Sequence, residues 1–149
     1  MSQVDIDLMQ LTDVGRVIEI ERISFPTPWS RLAFLSELLE NHRAIYIVAK
    51  DGQNVVGYAG MWQIFDEGHI TTIAVAPAYR GQGIGRALLQ TLASLGKARG
   101  VVRMTLEVRK SNNVAQNLYL SEGYVPAGIR PGYYQDNNED AIIMWKNDI

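Results

Sequence analysis

The sequence predicts a mixed α/β (α+β) fold, and three observations predict it. Runs of alternating apolar and polar residues, which have the two-residue period of strands, recur along the chain. Runs with the longer period of amphipathic helices lie between them. Three of the early strands follow one another through short turns, so we expect the sheet to begin antiparallel. The 149 residues suit one core, and we expect a single domain over residues 1–149.

The predicted elements of the first half are one strand, two helices and three further strands. In order, they are a strand with Val4, Ile6 and Leu8, a helix capped by Thr12 or Asp13, a helix capped by Ser30 that ends at Leu39, and strands over Ala44–Lys50, Val55–Trp62 and His69–Ala76. The segment between the two helices contains Pro26 and Pro28 and is therefore irregular. Its aromatic residues, Phe25 and Trp29, either fill the core or anchor a ligand.

The second half returns to the helical period and then alternates again. In order, it contains a helix with Ile84, Leu88, Leu92 and Leu95 that stops at Gly100, a strand over Val102–Val108, a short helix capped by Asn112 or Asn113 and ended by Gly123, and strands around Tyr124–Gly128 and Asp140–Lys146. The polar stretch Arg130–Glu139 is expected to be a loop between the last two strands.

The composition excludes several kinds of site. The chain has no cysteine, which excludes disulfides, a cysteine nucleophile and cysteine metal ligands. Its two histidines, His42 and His69, lie too far apart for a metal-ligand pattern and are expected at the surface or at a sheet edge, so we expect no metal. The net charge is −2 and no long basic tract is present, so direct binding to nucleic acid is not expected.

A membrane or secreted location is also not expected. No apolar run approaches the roughly 20 residues that span a bilayer. The start, Met1–Leu11, lacks the basic and then apolar order of a signal peptide. We therefore expect a cytoplasmic protein.

The most informative segment is Arg80-Gly81-Gln82-Gly83-Ile84-Gly85, between a predicted strand and a predicted helix. The start of a helix presents unpaired N–H groups and about +0.5 of an elementary charge. Glycines allow a bulky anion to approach those groups. The segment is thus typical of a pyrophosphate site, although a tight strand-to-helix turn would also use glycines.

Two common phosphate motifs do not fit this segment. A Walker A loop ends in Gly-Lys-Ser/Thr, whereas Gly85 is followed by Arg86 and Ala87. A dinucleotide fingerprint has its third glycine one place later than Gly85. The strands before the segment also follow one another as hairpins, which is not the start of a βαβ unit.

Two later residues are candidates for chemistry. Glu107 lies in the strand Leu106-Glu107-Val108, on the face opposite to Met104, Leu106 and Val108, and is either a solvent-facing carboxylate or a base at a cleft. Tyr119 lies on the following short helix and is either a core residue or an acid. The residues alone leave both alternatives open.

The glycine segment resembles the R/Q-x-x-G-x-G/A motif of the GCN5-related N-acetyltransferases (GNAT), with Arg80, Gly83 and Gly85 at the fixed positions. The order of elements along nearly the whole chain is similar to that family too. The resemblance implies a mostly antiparallel mixed sheet of about six or seven strands, flanked by about four helices. It also implies acetyl-CoA as the cosubstrate, with a strand that pairs with the pantetheine arm. The implied cofactor residues are Ile73, Ala74, Val75, Arg80, Gly81, Gln82, Gly83, Ile84, Gly85, Arg86 and Asn112.

The later motifs resemble the RimI subgroup, which acetylates the N-terminal alanine of ribosomal proteins. These motifs are Leu106–Arg109, Ser111-Asn112, Leu118-Tyr119, Gly123-Tyr124 and Asp140–Met144. The resemblance implies that Glu107 is the general base and that Tyr119 protonates the leaving thiolate. It implies a peptide site with Tyr133 and Tyr134, to which we add the loop aromatics Phe25 and Trp29 as candidates.

An N-terminal amine is the easier target for a weak base. Freeing an α-amine with a pKa of about 7.7–8.0 costs roughly 1–1.4 kcal/mol at neutral pH, whereas a lysine with a pKa of about 10.4 costs roughly 4–5 kcal/mol. We therefore expect a protein N-terminus as acceptor, from a ribosomal protein by the resemblance. A small-molecule amine and a non-catalytic coenzyme A-binding module are the alternatives.

Overall fold

A computed structural model describes residues 4–149 as a seven-stranded sheet with four helices. Residues 1–3, which begin both the expected domain and the Met1–Leu11 segment, lie outside the described residues. The strands are β1 (Val4–Leu8), β2 (Ala44–Asp51), β3 (Asn54–Ile64), β4 (Glu67–Val75), β5 (Arg103–Arg109), β6 (Val125–Tyr134) and β7 (Glu139–Lys146). The helices are α1 (Val14–Ser24), α2 (Arg31–Leu39), α3 (Ile84–Ala98) and α4 (Asn113–Ser121), with short 3-10 turns at Leu11–Asp13 and Pro77–Tyr79.

The strand order in the sheet is β1-β2-β3-β4-β5-β7-β6. All neighbouring strands are antiparallel except β4 and β5, which are parallel. This confirms the mixed, mostly antiparallel sheet predicted from the sequence. The parallel pair is short, because only Glu67–His69 pair with Arg103–Thr105, and the two strands then separate.

Each face of the sheet carries its own hydrophobic cluster. On one face, α3 packs against β2 and β3 through Leu88, Leu92 and Met61, all of which are fully buried. On the other face, α1 and α2 pack over β2 and β3 through residues such as Phe34 and Tyr58. Alternate residues of β2 serve the two clusters, as a strand period of two requires.

The helix caps follow the sequence in two cases and not in a third. Ser30 Oγ accepts a hydrogen bond from Ala33 N at 3.1 Å, and Asn112 Oδ1 accepts one from Ala115 N at 3.1 Å, as predicted. Asp13 is the N-cap residue of α1, as one of the two predicted alternatives has it, but its side chain makes no cap hydrogen bond. The Asp13 carboxylate instead accepts a hydrogen bond from Gln10 N at 2.8 Å and forms an ion pair with Lys50 at 3.1 Å.

The predicted polar loop Arg130–Glu139 is also wrong in extent. Strand β6 continues to Tyr134, and only residues 135–138 form the turn to β7. Because β6 is the edge strand of the sheet, exposed polar side chains and a proline cost it little. A register irregularity between Arg130 and Tyr134 accommodates Pro131 and Gly132.

The glycines of β3 lie inside the strand and do not interrupt it. A Cβ at Gly60 would lie 2.2 Å from Cε2 of Tyr46, so the ring occupies the space of the missing side chain. Glycine at this position therefore lets Tyr46 pack flat against the sheet. Within residues 4–149, none of the helices has both the length and the apolar character needed to cross a bilayer.

Candidate active site

The sheet opens between β4 and β5 beyond the three paired positions. Ile73, Ala74 and Val75 pair with β3 on one side, but within the described chain they have no β5 partner on the other. Their free edge thus faces the gap between the two strands. The Val75 carbonyl accepts a hydrogen bond from Arg80 Nε at 2.9 Å, which folds the arginine back onto the end of β4.

The glycine segment lies between β4 and the start of α3. Gly81 and Gly83 have φ values of +77° and +83°, which disfavour other residues. A Cβ at either position would find no heavy atom within 4 Å, so the backbone is open to solvent. Gly83 is the N-cap of the 15-residue helix α3, whose first turn contains no acidic residue. Such a surface suits a diphosphate, because its backbone is open and the start of the helix carries a partial positive charge.

The other residues of this segment divide between surface and core. Gln82 and Arg86 are exposed, whereas Ile84, the first residue of α3, is buried. Gly85 lies against α4, since a Cβ there would be 3.4 Å from Leu118 Cδ2. The Arg86 guanidinium forms an ion pair with Glu122 at 2.5 Å.

Glu107 lies on the sheet face opposite to the α3 cluster, as its alternation with Met104, Leu106 and Val108 predicted. Its side chain is 30% exposed, and Oε1 lies 3.5 Å from Arg130 Nε. The Tyr133 phenol lies near the Glu107 carboxylate, and this carboxylate, followed by burial, raises the pKa of Tyr133. The carboxylate thus has both an edge-strand cation and a phenol as neighbours.

Tyr119 is 6% exposed on α4, and its ring centroid is 6.1 Å from that of Tyr124. Burial raises the pKa of Tyr119, and the neighbouring Tyr134 phenol raises it further. Burial also raises the pKa of Tyr134 to about 12, despite the guanidinium of Arg109 4.0 Å from its ring centroid. Both phenols are therefore neutral hydrogen-bond donors over the physiological pH range.

The loop aromatics contact the core and also face a cavity. Trp29 packs 5.3 Å from Phe34 and 6.5 Å from Tyr46, measured between ring centroids. The same side chain lines a cavity of about 580 Å³ together with Glu37 and Trp62. Phe25 is half-buried against the same cluster. Trp29 thus packs on the core, and its role as a ligand anchor stays a prediction.

The structure brings together predicted site residues that are distant in the sequence, and it adds others. Glu107 of β5 lies near Tyr133 and Tyr134 of β6 across the intervening strand β7, and Tyr119 lies near Tyr134. Sequence reasoning missed Arg130, because it was assigned to a loop. Asn112 uses its carbonyl oxygen to cap α4. Among residues 4–149, no group of three or more His, Asp or Glu side chains is arranged to hold a metal ion.

The fold and the site define an N-acetyltransferase architecture. The crystal structure of the ribosomal-protein-S18-alanine N-acetyltransferase from Escherichia coli matches with a TM-score of 0.89 and 35% identity, over 99% of this chain and 96% of that one. The NatC complex bound to Gag peptide and CoA contains a chain with the same fold, with a TM-score of 0.85 at 19% identity over 99% of both chains.

The sequence comparisons place the chain in a family. The family model "Acetyltransferase (GNAT) family" matches residues 14–124, and the chain belongs to this family. A relative from Bacillus subtilis (strain 168) is 47% identical over 137 residues, which are 92% of this chain and 91% of the relative. The ribosomal protein bS18-alanine N-acetyltransferase of Escherichia coli (strain K12) is 38% identical over 141 residues, which are 93% of this chain and 94% of that protein.

Proposed function

We propose that residues 1–149 form one domain that transfers an acetyl group from acetyl-CoA to the N-terminal α-amine of a protein. The acceptor we propose is the N-terminal alanine of a small-subunit ribosomal protein, which is the substrate named for the Escherichia coli relative. The observation that carries the proposal is the Glu107 carboxylate, with Arg130 and Tyr133 as neighbours, on the strand that borders the gap in the sheet.

Acetyl-CoA fits the gap and the glycine loop. The backbone of Gly81–Arg86 would hold the diphosphate, because the open surface at Gly81 and Gly83 leaves the first N–H groups of α3 accessible. The free edge of Ile73–Val75 would pair with the amide groups of the pantetheine arm. The amide group of Asn112 is a further candidate contact, because its Oδ1 alone is used by the cap.

The acceptor loses a proton and attacks the thioester directly. The amine nitrogen forms a bond to the carbonyl carbon, and the carbon–sulfur bond breaks to release the thiolate of coenzyme A. Glu107 takes the amine proton, directly or through a water molecule. An α-amine is already partly deprotonated at neutral pH, so a carboxylate is a sufficient base for it.

Tyr119 acts on the departing sulfur. Even with ordinary pKa values, proton transfer from tyrosine to a thiolate is uphill by roughly 2 kcal/mol. Burial raises the pKa of Tyr119, which makes complete transfer harder still. Tyr119 therefore stabilises the sulfur by a hydrogen bond that strengthens as negative charge develops there, and the thiolate is protonated afterwards.

The peptide would lie between the β6 edge and the loop before α2. Tyr133 and Tyr134 would line one side, and Phe25 and Trp29 the other. We propose no direct contact with nucleic acid or membrane, because the net charge of the chain is −2. A ribosomal-protein substrate implies a cytoplasmic location.

The test is an acetylation assay with purified protein and acetyl-CoA. A short peptide that begins with alanine should be acetylated at its α-amine, whereas the same peptide with a blocked N-terminus and a free lysine should react little. Acetylation of polyamines or free amino acids alone would refute the protein substrate. Binding of coenzyme A without transfer to any amine would refute catalysis.

A further inference from the structure

Glu21 is a buried carboxylate that the proposed reaction does not use. It lies on α1 with 2% of its surface exposed. Among the described residues, no lysine, arginine or histidine nitrogen lies within ion-pair distance of it. Its oxygens are instead satisfied by neutral donors, since Oε1 accepts a hydrogen bond from the Tyr58 hydroxyl and Oε2 accepts one from Trp29 N at 2.8 Å.

These contacts fasten both ends of the loop between α1 and α2. The backbone carbonyl of Glu21 accepts a hydrogen bond from Phe25 N at 3.0 Å, and its carboxylate accepts the one from Trp29 N. The five residues from Phe25 to Trp29 have no regular structure of their own. Glu21 is thus bonded to the first and the last of them, while Tyr58 ties the carboxylate to the central strand β3.

A carboxylate is a costly residue for a core position. Burial raises the pKa of Glu21, because the charged form loses its water. An apolar side chain of similar size would avoid that cost but would offer no acceptor. The part-buried Trp29 amide and the buried Tyr58 hydroxyl would then both lose their hydrogen-bond partner. The two acceptor oxygens are therefore what this position needs.

We propose that Glu21 is a positioning residue for the acceptor polypeptide: by holding Trp29 N with its carboxylate, which Tyr58 also bonds, it fixes the loop that presents the Trp29 indole to the cavity beside α2. This inference rests on the proposed function. Trp29 packs against Phe34 and Tyr46 on its inner side and lines the 580 Å³ cavity on its outer side. A shift of the loop would move this wall of the cavity.

Three variants separate this role from general stability. Glu21→Leu fills the space without an acceptor. Glu21→Gln keeps one acceptor for Trp29 N and can donate to the Tyr58 hydroxyl, so it should rescue the loop. Glu19→Ala is the matched control, because Glu19 is a carboxylate on the same helix whose side chain is 64% exposed.

The measurements are steady-state kinetics with an alanine-initiated peptide, and amide exchange by nuclear magnetic resonance. In Glu21→Leu, KM for the peptide should rise about tenfold or more, whereas KM for acetyl-CoA and kcat change less than about twofold. The Trp29 amide should exchange slowly in the wild type and in Glu21→Gln, and fast in Glu21→Leu. Glu19→Ala should match the wild type in every measurement.

Several results would overturn the inference. Fast exchange of the Trp29 amide in the wild type would overturn it even if Glu21→Leu did not fold. An unchanged peptide KM in a folded Glu21→Leu, or an equal loss of affinity for both substrates, would do the same. A wild type that protects the Trp29 amide but acetylates no peptide would overturn the proposed function, and with it the substrate role of the loop, while leaving the anchoring of the loop supported.

Discussion

Replacing Gly83 by alanine tests whether the glycine loop holds the diphosphate of coenzyme A. Gly83 is the N-cap of α3, at φ +83°, and an added Cβ would meet no heavy atom within 4 Å. In the free protein the methyl group therefore costs only backbone strain. In the complex it would project into the space through which the diphosphate reaches the first N–H groups of the helix.

The same helix provides a matched control at its other end. Gly100 follows α3 at φ +89°, and an added Cβ there also meets nothing within 4 Å. A left-handed conformation costs a residue other than glycine roughly 1–2 kcal/mol. For a domain of this size, that lowers Tm by about 2–8 °C. Gly83→Ala and Gly100→Ala should therefore lose similar stability.

Only the first variant should lose coenzyme A. Losing one charge-assisted hydrogen bond to the diphosphate costs about 1.5–3 kcal/mol, which corresponds to a Kd raised about 10- to 150-fold. Isothermal titration calorimetry measures this Kd directly, and thermal melting measures the strain. If Gly83→Ala bound coenzyme A as tightly as Gly100→Ala, the diphosphate would not lie at this loop and the donor site would have to be sought elsewhere.

Three further predictions concern the chemistry and the acid stability. Glu107→Gln should lower kcat by about 10²–10⁴-fold in peptide acetylation and leave the Kd for coenzyme A unchanged, and a lost Kd would contradict its role as base. Tyr119→Phe should lower kcat in the same assay by up to about 10²-fold, whereas Tyr124→Phe, at an adjoining ring, should not; equal effects would indicate a packing role. Hydrogen bonds from Ser111 lower the pKa of Glu139 from 4.5 to about 2, so the stabilisation they give is present above pH 4.5 and is lost as the pH falls towards 2. Tm of the wild type should thus fall more steeply between pH 4.5 and 2 than that of Glu139→Gln, and parallel curves would refute this.

Local sequence patterns predicted much of the fold. The period of α3, the caps at Ser30 and Asn112 and the alternation of β5 each depend on residues a few positions apart. Asp13 makes no side-chain cap and the predicted loop Arg130–Glu139 was wrong in extent, because the surroundings of both come from distant parts of the chain. Lys50 of β2 forms the ion pair with Asp13, and the position of β6 at the sheet edge allows a polar strand.

The candidate site also has one part that local sequence predicts and one part that depends on distant residues. The glycine loop is contiguous in sequence, so its open backbone could be predicted from local residues alone. The grouping of Glu107 with Arg130 and Tyr133 depends on β7 pairing with both β5 and β6, which no short motif specifies. The sequence alone could have pointed to Glu21, because it is a charged residue among Val17, Ile18 and Ile20 on the buried side of α1.

Because β4 and β5 pair over only three residues, the sheet consists of two parts, β1 to β4 and β5 to β7, joined by a few hydrogen bonds. Gly68 lies in this short parallel pairing, and a Cβ there would come within 3.2 Å of both Met104 Cγ and Met61 Sδ. A pantetheine arm lying along the unpaired edge of β4 would take the place of a neighbouring strand and connect the two parts of the sheet. At an acetyl-CoA concentration of about 100 times Kd, binding would add about 2.7 kcal/mol to the free energy of unfolding. The donor would therefore stabilise the fold as well as supply the acetyl group.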